Sequence, residues 1–252
     1  MKIAYIDPVR PDSAFYFIAK ELKRFAGRDT EIKYFHLDRG TDHLEYRYYE
    51  ALIIPDVLHL LMDLENEGYD AAIIGCFYDP GIEAAREVLK KMCVVGVAEA
   101  SLKIANTLGE KVTILAGREK HIPIIMEGLR AKVLDGKITS IKNLGFKVDE
   151  LQDSQNNLSR IMEERAIEAV KEDMAEVIVL GCTMEIGHYE ELQNKLNVPV
   201  IDPAIAGLKY AEFLVEIRNS CKWYTSKIFA YEAPPEEEIK SLDLRKQFGF
   251  SL

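Results

Sequence analysis

The chain has 252 residues, 48% of them apolar, with only 15 Gly and 9 Pro. That is enough apolar material for one large core or two modest ones, and it excludes a disordered chain. With 32 basic against 42 acidic residues the formal charge is −10, which favours solubility and argues against nucleic acid or an anionic membrane as the main partner.

The start, Met1-Lys2-Ile3-Ala4-Tyr5-Ile6-Asp7, is a short apolar run that meets an acid early. It reads as a strand, not as the apolar core of a signal peptide. No apolar stretch approaches the length of a membrane span, so the expected location is the cytoplasm. Asp12 or Ser13 is expected to cap a first helix, with Phe15, Ile18, Ala19, Leu22 and Phe25 on one face and Gly27 at its end. Residues 32–37 read as a second strand. Pro55 is expected to open a helix that turns Val57, Leu58, Leu61 and Leu64 inward and stops at Gly68. Residues 71–74 form a buried-strand run leading into Gly75-Cys76. In Asp79-Pro80-Gly81, Asp79 suits an N-cap and Pro80 the first helical position. Ile82, Ala85, Val88, Leu89 and Met92 make that helix amphipathic, and residues 94–97 follow as a strand.

The alternation then restarts. Strands are expected over 111–116, 141–148, 177–180 and 198–201, and helices over 122–133, 158–170 and up to Leu196. An offset of 106 residues superposes the halves: Gly75-Cys76 falls on Gly181-Cys182, and Leu102, Lys103 and Ala105 fall on Leu208, Lys209 and Ala211. The expectation is an α/β fold of two pseudosymmetric lobes, each a parallel sheet flanked by helices, with the active site in the cleft between them.

The four cysteines, at 76, 93, 182 and 221, form no Cys-x-x-Cys pair, and the five histidines form no His-x-x-x-His pair. No metal site is expected, and the thiols should be free in a reducing compartment. Cys76 and Cys182 each stand where a strand ends, the place where open parallel sheets bind ligands. Two thiols facing each other across a cleft suit stereoinversion, one removing a proton from one face of a carbon and the other returning it on the opposite face. A helix N-terminus can lower a thiol towards neutrality, and hydrogen bonds to an enolate would make a cofactor unnecessary. Cys93 and Cys221 have no counterpart in the duplication and read as small buried apolar residues.

The stretch from Glu67-Gly68-Tyr69-Asp70 through Gly75-Cys76-Phe77-Tyr78-Asp79-Pro80-Gly81-Ile82-Glu83-Ala84-Ala85-Arg86 resembles the aspartate/glutamate/hydantoin racemase superfamily, closest to its hydantoin and allantoin branch. Val95-Gly96-Val97-Ala98-Glu99-Ala100, Leu180-Gly181-Cys182-Thr183, Val198-Pro199-Val200-Ile201-Asp202-Pro203 and the segment 231–235 extend the likeness over nearly all of residues 1–235. The resemblance implies two α/β lobes, no cofactor, and Cys76 and Cys182 as the catalytic pair. It implies that Phe77 and Thr183 lend backbone N–H groups to the substrate. It also implies that the last helix returns to the first lobe, which would then comprise 1–107 plus about 205–252, leaving 108–204 as the second. Asp7-Pro8-Val9-Arg10 and Thr183-Met184-Glu185 depart from the hydantoin branch, where Asn-Pro-Asn followed by Thr or Ser and Ala-Gly-Met are usual. The substrate thus stays open between a hydantoin, allantoin and an amino acid.

Arg10, in the first strand-to-helix loop, either grips a substrate carboxylate bidentately or is a solvated arginine. Arg118 has the same two readings. Asp7 orients a thiol or a substrate amine, or caps a turn. Tyr78 lines the cleft or covers it. His188 reads as an ordinary histidine of the second lobe. The run Glu236-Glu237-Glu238 reads as a solvated helix start, and Phe248 and Phe250 as residues docked on this chain or a neighbouring subunit. The function expected is a cofactor-independent racemase of a small molecule, working as a homo-oligomer. A cis–trans isomerase or decarboxylase of small dicarboxylates, or a non-catalytic small-molecule binder, are the rivals.

Overall fold

The computed structural model describes residues 1–10, 16–151 and 157–248, so the expected caps Asp12 and Ser13, and Phe15 and Phe250, lie outside the described residues. The first sheet takes β1 (Lys2–Asp7), β2 (Glu31–His36), β3 (Ala71–Ile74) and β4 (Cys93–Gly96), linked by α1 (Tyr16–Phe25), α2 (Arg47–Asn66) and α3 (Ile82–Val88) and followed by α4 (Val97–Leu108). The second takes β5 (Val112–Ala116), β6 (Ile138–Asn143), β7 (Val177–Leu180) and β8 (Val200–Ile201), with α5 (His121–Ala131), α6 (Leu158–Glu172) and α7 (Tyr189–Leu196) between them and α8 (Pro203–Cys221) after them. The strand orders are β2-β1-β3-β4 and β6-β5-β7-β8, all parallel. The order is therefore the same in both halves, as the sequence offset requires.

β3, β5 and β7 are buried along their whole length and β1 everywhere but at Lys2, whereas the edge strands β2 and β6 are partly open. A parallel sheet covered on both faces explains why β3 and β7 read as unbroken apolar runs. The two helices that end the halves are built from small residues. α4 buries Ala98, Ala100, Ser101 and Ala105, and α8 buries Ala204, Ala206, Gly207 and Ala211. They pack on each other, α8 lies on β3 and β4, and α4 reaches β7. A Cβ at Gly207 would lie 2.9 Å from Ile73 and 3.0 Å from Val97, so the close approach of α8 to the first sheet depends on that glycine.

Several boundaries differ from expectation. α2 does not open at Pro55 but runs through it from Arg47. Ile53, Val57, Leu61 and Leu64 are all buried on one face, and their burial outweighs the lost amide and the ring clash of an internal proline, worth about 3 kcal/mol. β6 lies earlier than expected because Gly145, with φ of 84°, turns the chain out of the sheet; a short 3₁₀ turn follows at Val148–Glu150. β4 ends at Gly96, and Val97 already belongs to α4.

Asp79 does not cap α3, whose N-cap is the left-handed Gly81. Its buried carboxylate instead accepts the N–H groups of Ala98 (2.9 Å) and Glu99 (3.0 Å), capping α4. At the corresponding end of α8, Asp202 caps its own helix through Ala204 and Ile205. Cys221 is exposed at the end of α8 instead of buried, while Cys93 is half-buried. Beyond α8 come a 3₁₀ turn at Phe229–Tyr231, α9 (Glu236–Ser241) and α10 (Leu244–Phe248), with the Glu236–Glu238 run and Phe248 exposed. Among the described residues no helix is long and apolar enough to cross a membrane.

Candidate active site

In each sheet the chain leaves the two central strands in opposite directions, β1 and β3 in the first and β5 and β7 in the second. These are topological switch points, where parallel sheets open a crevice beyond the strand ends. The N–H of Gly75 bonds to Ile6 (2.8 Å) and that of Gly181 to Leu115 (2.7 Å), carrying each ladder one residue past its strand. No other residue fits there. A Cβ at Gly75 would lie 2.5 Å from the buried Tyr5 hydroxyl, and one at Gly181 would collide with the Leu115 carbonyl oxygen. The glycines thus hold Cys76 and Cys182 at the first position clear of each sheet.

Both cysteines line one small cavity between the lobes, with about 60 Å³ of free space. The first lobe contributes Pro8, Val9, the loop Asp42–Glu45 and the run Gly75–Tyr78; the second contributes Gly117, His121, Val148 and the run Gly181–Met184. One hydrogen bond joins the two cysteine loops directly, from the Thr183 hydroxyl to the Gly75 carbonyl at 3.1 Å.

Each thiol accepts the N–H of the residue two positions on, Tyr78 for Cys76 and Met184 for Cys182. Burial nevertheless dominates and pushes both thiols well above their ordinary range, with the Glu185 charge adding to the effect at Cys182. This reverses the expectation that a helix end would lower them. No long helix begins at either cysteine: Cys182 precedes only the 3₁₀ turn Thr183–Glu185, and α3 starts beyond the left-handed Gly81. Unliganded, the site holds two protonated thiols. Among the described residues, no hydrogen bond within the chain engages the N–H of Phe77 or Thr183.

Of the residues singled out from sequence, Cys76, Phe77, Tyr78, Cys182 and Thr183 line the cavity. Burial, then the charge of the neighbouring thiols, pushes the Tyr78 phenol up. Asp7 lies behind the wall at the end of β1, where it accepts the Tyr34 hydroxyl at 2.8 Å and opposes ionisation of both thiols. Arg10 and Arg118 lie outside the lining, each paired to a carboxylate that belongs to it. Arg10 binds Asp42, one contact being 3.1 Å, and holds that carboxyl below its ordinary range. Arg118 binds the buried Glu45, whose other oxygen accepts the Val148 N–H at 2.7 Å. Burial alone would raise Glu45, but those two partners outweigh it and hold the carboxyl low. His188 is at the N-cap of α7, away from the lining.

The sequence reading missed Asp42, His43, Glu45 and His121. The first three stand in a loop without apolar periodicity, so nothing local marks them. His121 had one signal available: it follows the end of β5, the strand beside the one that leads to Cys182.

Two like α/β lobes, opening at their switch points onto one small cleft lined by both halves, define the class of fold. The comparison with known proteins makes the assignment specific. The chain belongs to the Asp/Glu/hydantoin racemase family, whose sequence profile matches residues 13–211, and is by class an isomerase. It is 34% identical to a hydantoin racemase of Pseudomonas sp. (strain NS671), covering 94% of each chain. It is 31% identical to a hydantoin racemase of Paenarthrobacter aurescens, over 94% of this chain and 99% of that one. The solved allantoin racemase from Klebsiella pneumoniae superposes with a TM-score of 0.87 at 27% identity, covering 96% of this chain and 98% of the other.

Proposed function

We propose that this racemase inverts the carbon α to a carbonyl in a neutral, hydantoin-like ring, using Cys76 and Cys182 as its two bases and no cofactor. The observation that carries this reading is the pair of matched Gly-Cys loops on one cavity whose nearby cations are already committed. Arg10 and Arg118 answer Asp42 and Glu45, so the lining presents no arginine or lysine to a substrate carboxylate. A free amino acid or a dicarboxylate would bring charge that this wall does not balance; a cyclic ureide brings none.

The chemistry balances without outside help. One thiol loses its proton to solvent. The resulting thiolate takes the Cα proton from one face, and the opposite thiol delivers its own proton to the other face, becoming the thiolate. Charge that develops on the carbonyl oxygen meets the unengaged N–H groups of Phe77 and Thr183. Substrate of the other hand runs the same steps with the cysteines exchanged. The exposed Trp223, Tyr224, Ile228 and Phe229 support association between copies, which sedimentation would test.

The test is incubation in D₂O with single enantiomers of 5-substituted hydantoins, allantoin, aspartate and glutamate, following optical rotation and Cα deuteration together. Aryl malonates and maleate serve as controls for decarboxylation and isomerisation. Hydantoin or allantoin should racemise with uptake of one deuterium, and Cys76→Ser and Cys182→Ser should each abolish racemisation. Turnover of aspartate or glutamate alone would overturn the neutral-ring reading, and full activity in either serine variant would overturn the two-thiol mechanism.

A further inference from the structure

His121 is a buried histidine in the cavity wall, at the first turn of α5. Its Nδ1 lies 3.3 Å from the N–H of Arg118 and accepts it. An acceptor nitrogen carries no proton, so the ring's hydrogen is on Nε2. That Nε2 is buried and has no hydrogen-bond partner among the described residues. Native proteins seldom leave a buried donor unmatched, and one in the wall of a functional cavity calls for a ligand group to answer it. The ring is held in place by an edge-on contact with Tyr78, centroids 6.1 Å apart, and Tyr78 is the residue whose N–H serves Cys76. The Tyr78 contact ties His121 to the Cys76 loop.

We propose that His121 is a specificity-determining residue whose Nε2–H donates to a carbonyl oxygen of the substrate ring, the one that gains charge when the adjacent carbon is deprotonated. This rests on the neutral-ring reading above and deepens it. The groups facing the imidazole are Glu45, Arg118, Lys120 and His43; burial is the largest influence and keeps the ring neutral. A neutral donor matches a neutral carbonyl, and it discriminates against analogues that lack an oxygen at that place, because they leave the donor unpaired. The bond would strengthen as the oxygen turns anionic, which makes it a contact of the transition state more than of the ground state.

Two measurements decide it. In the first, His121→Leu removes the donor while His121→Gln keeps an N–H at similar reach, and both are assayed for racemisation of 5-substituted hydantoins. The leucine variant should lose about 100-fold in kcat/KM, mostly in kcat and equally for both enantiomers, with most of the loss recovered in the glutamine variant. In the second, the imidazole ¹⁵N and ¹H signals of the wild-type protein are followed while unsubstituted hydantoin, which is achiral, is added. The Nε2–H proton should move downfield. If wild type racemises hydantoins, the leucine variant matches it and the imidazole signal stays still, the inference falls and the racemase reading survives. If the signal moves but wild type racemises none, the contact stands and the proposed reaction falls. If neither occurs, both fall.

Discussion

The aspartate that caps a helix it does not belong to gives the sharpest test of how the two halves correspond. Gly96 and Asp202 stand 106 positions apart, at the N-caps of α4 and α8, with nearly the same backbone: φ −89°, ψ 137° against φ −85°, ψ 122°. Asp202 supplies its own carboxylate. Gly96 supplies none, and the Asp79 carboxylate fills the space where a Cβ at 96 would be. In Asp79→Ala the N–H groups of Ala98 and Glu99 lose their acceptors, and Lys132, 3.5 Å from Asp79 and only 14% exposed, loses the nearer of its two carboxylates, Glu83 at 3.9 Å remaining. Burial raises the Asp79 carboxyl to about 6, and relief of that penalty offsets part of the loss. The net destabilisation should be about 1–2 kcal/mol. Gly96→Asp alone forces two carboxylates into one site and should destabilise by roughly 3 kcal/mol. Placed in the Asp79→Ala background, the same substitution should become stabilising, because it gives α4 the cap that α8 already has. Urea denaturation of the four proteins at pH 7.5 yields the coupling energy, the roughly 3 kcal/mol cost plus the gain in the alanine background, so about 3–4 kcal/mol. Additivity to within about 0.5 kcal/mol would refute the claim that one carboxylate position serves either residue.

Three more outcomes are expected. Thr183→Val removes the buried hydroxyl that bonds Gly75 and should lower stability by about 1–2 kcal/mol and kcat by roughly tenfold, measured by denaturation and by polarimetry. Burial raises Asp79 and Asp202 to about 6 from the ordinary 3.8, so the folded state binds protons that the unfolded chain has released. Their contribution makes the protein more stable as pH falls from 7 towards 5, by about 1 kcal/mol per group, and Asp202→Asn should flatten its share of that slope in thermal melts. Because burial holds both thiols above their ordinary range, the thiolate fraction in the free enzyme is small at neutral pH. The value of kcat/KM should therefore climb steadily from pH 7 to 9, and a plateau beginning below 8 would contradict the buried-thiol account.

The sequence carried the strands that matter most. β3 and β7 are central, buried on both faces and apolar at every position, so composition alone reveals them, and the glycine after each is enforced by a close contact, with the Tyr5 side chain at Gly75 and the Leu115 carbonyl at Gly181. What escaped was long-range or partly exposed. Pro55 reads locally as a helix start, and only the packing of Ile53 with Val57 and Leu61 shows that the helix tolerates it. Asp79 sits in a flawless local capping pattern yet serves a helix that begins 18 residues later. A pattern reader weighs neighbours in sequence, whereas a carboxylate answers the nearest unpaired amides in space. The cysteines were legible because they repeat. Glu45 and His121 were not, since each gains its meaning from a partner on another loop, Val148 and Tyr78 respectively.

The exchange of final helices bears on how such a molecule can be cut. α4 closes the first half of the chain yet touches β7, and α8 closes the second half yet lies on β3 and β4. Severed after Leu108, the first fragment would lose the α8 cover of β3 and β4, and the second would lose the contact of α4 on β7. Two fragments could satisfy both needs only by trading helices, and in trading them they would rebuild the cleft. Co-expressed halves should recover the fold together where neither does alone.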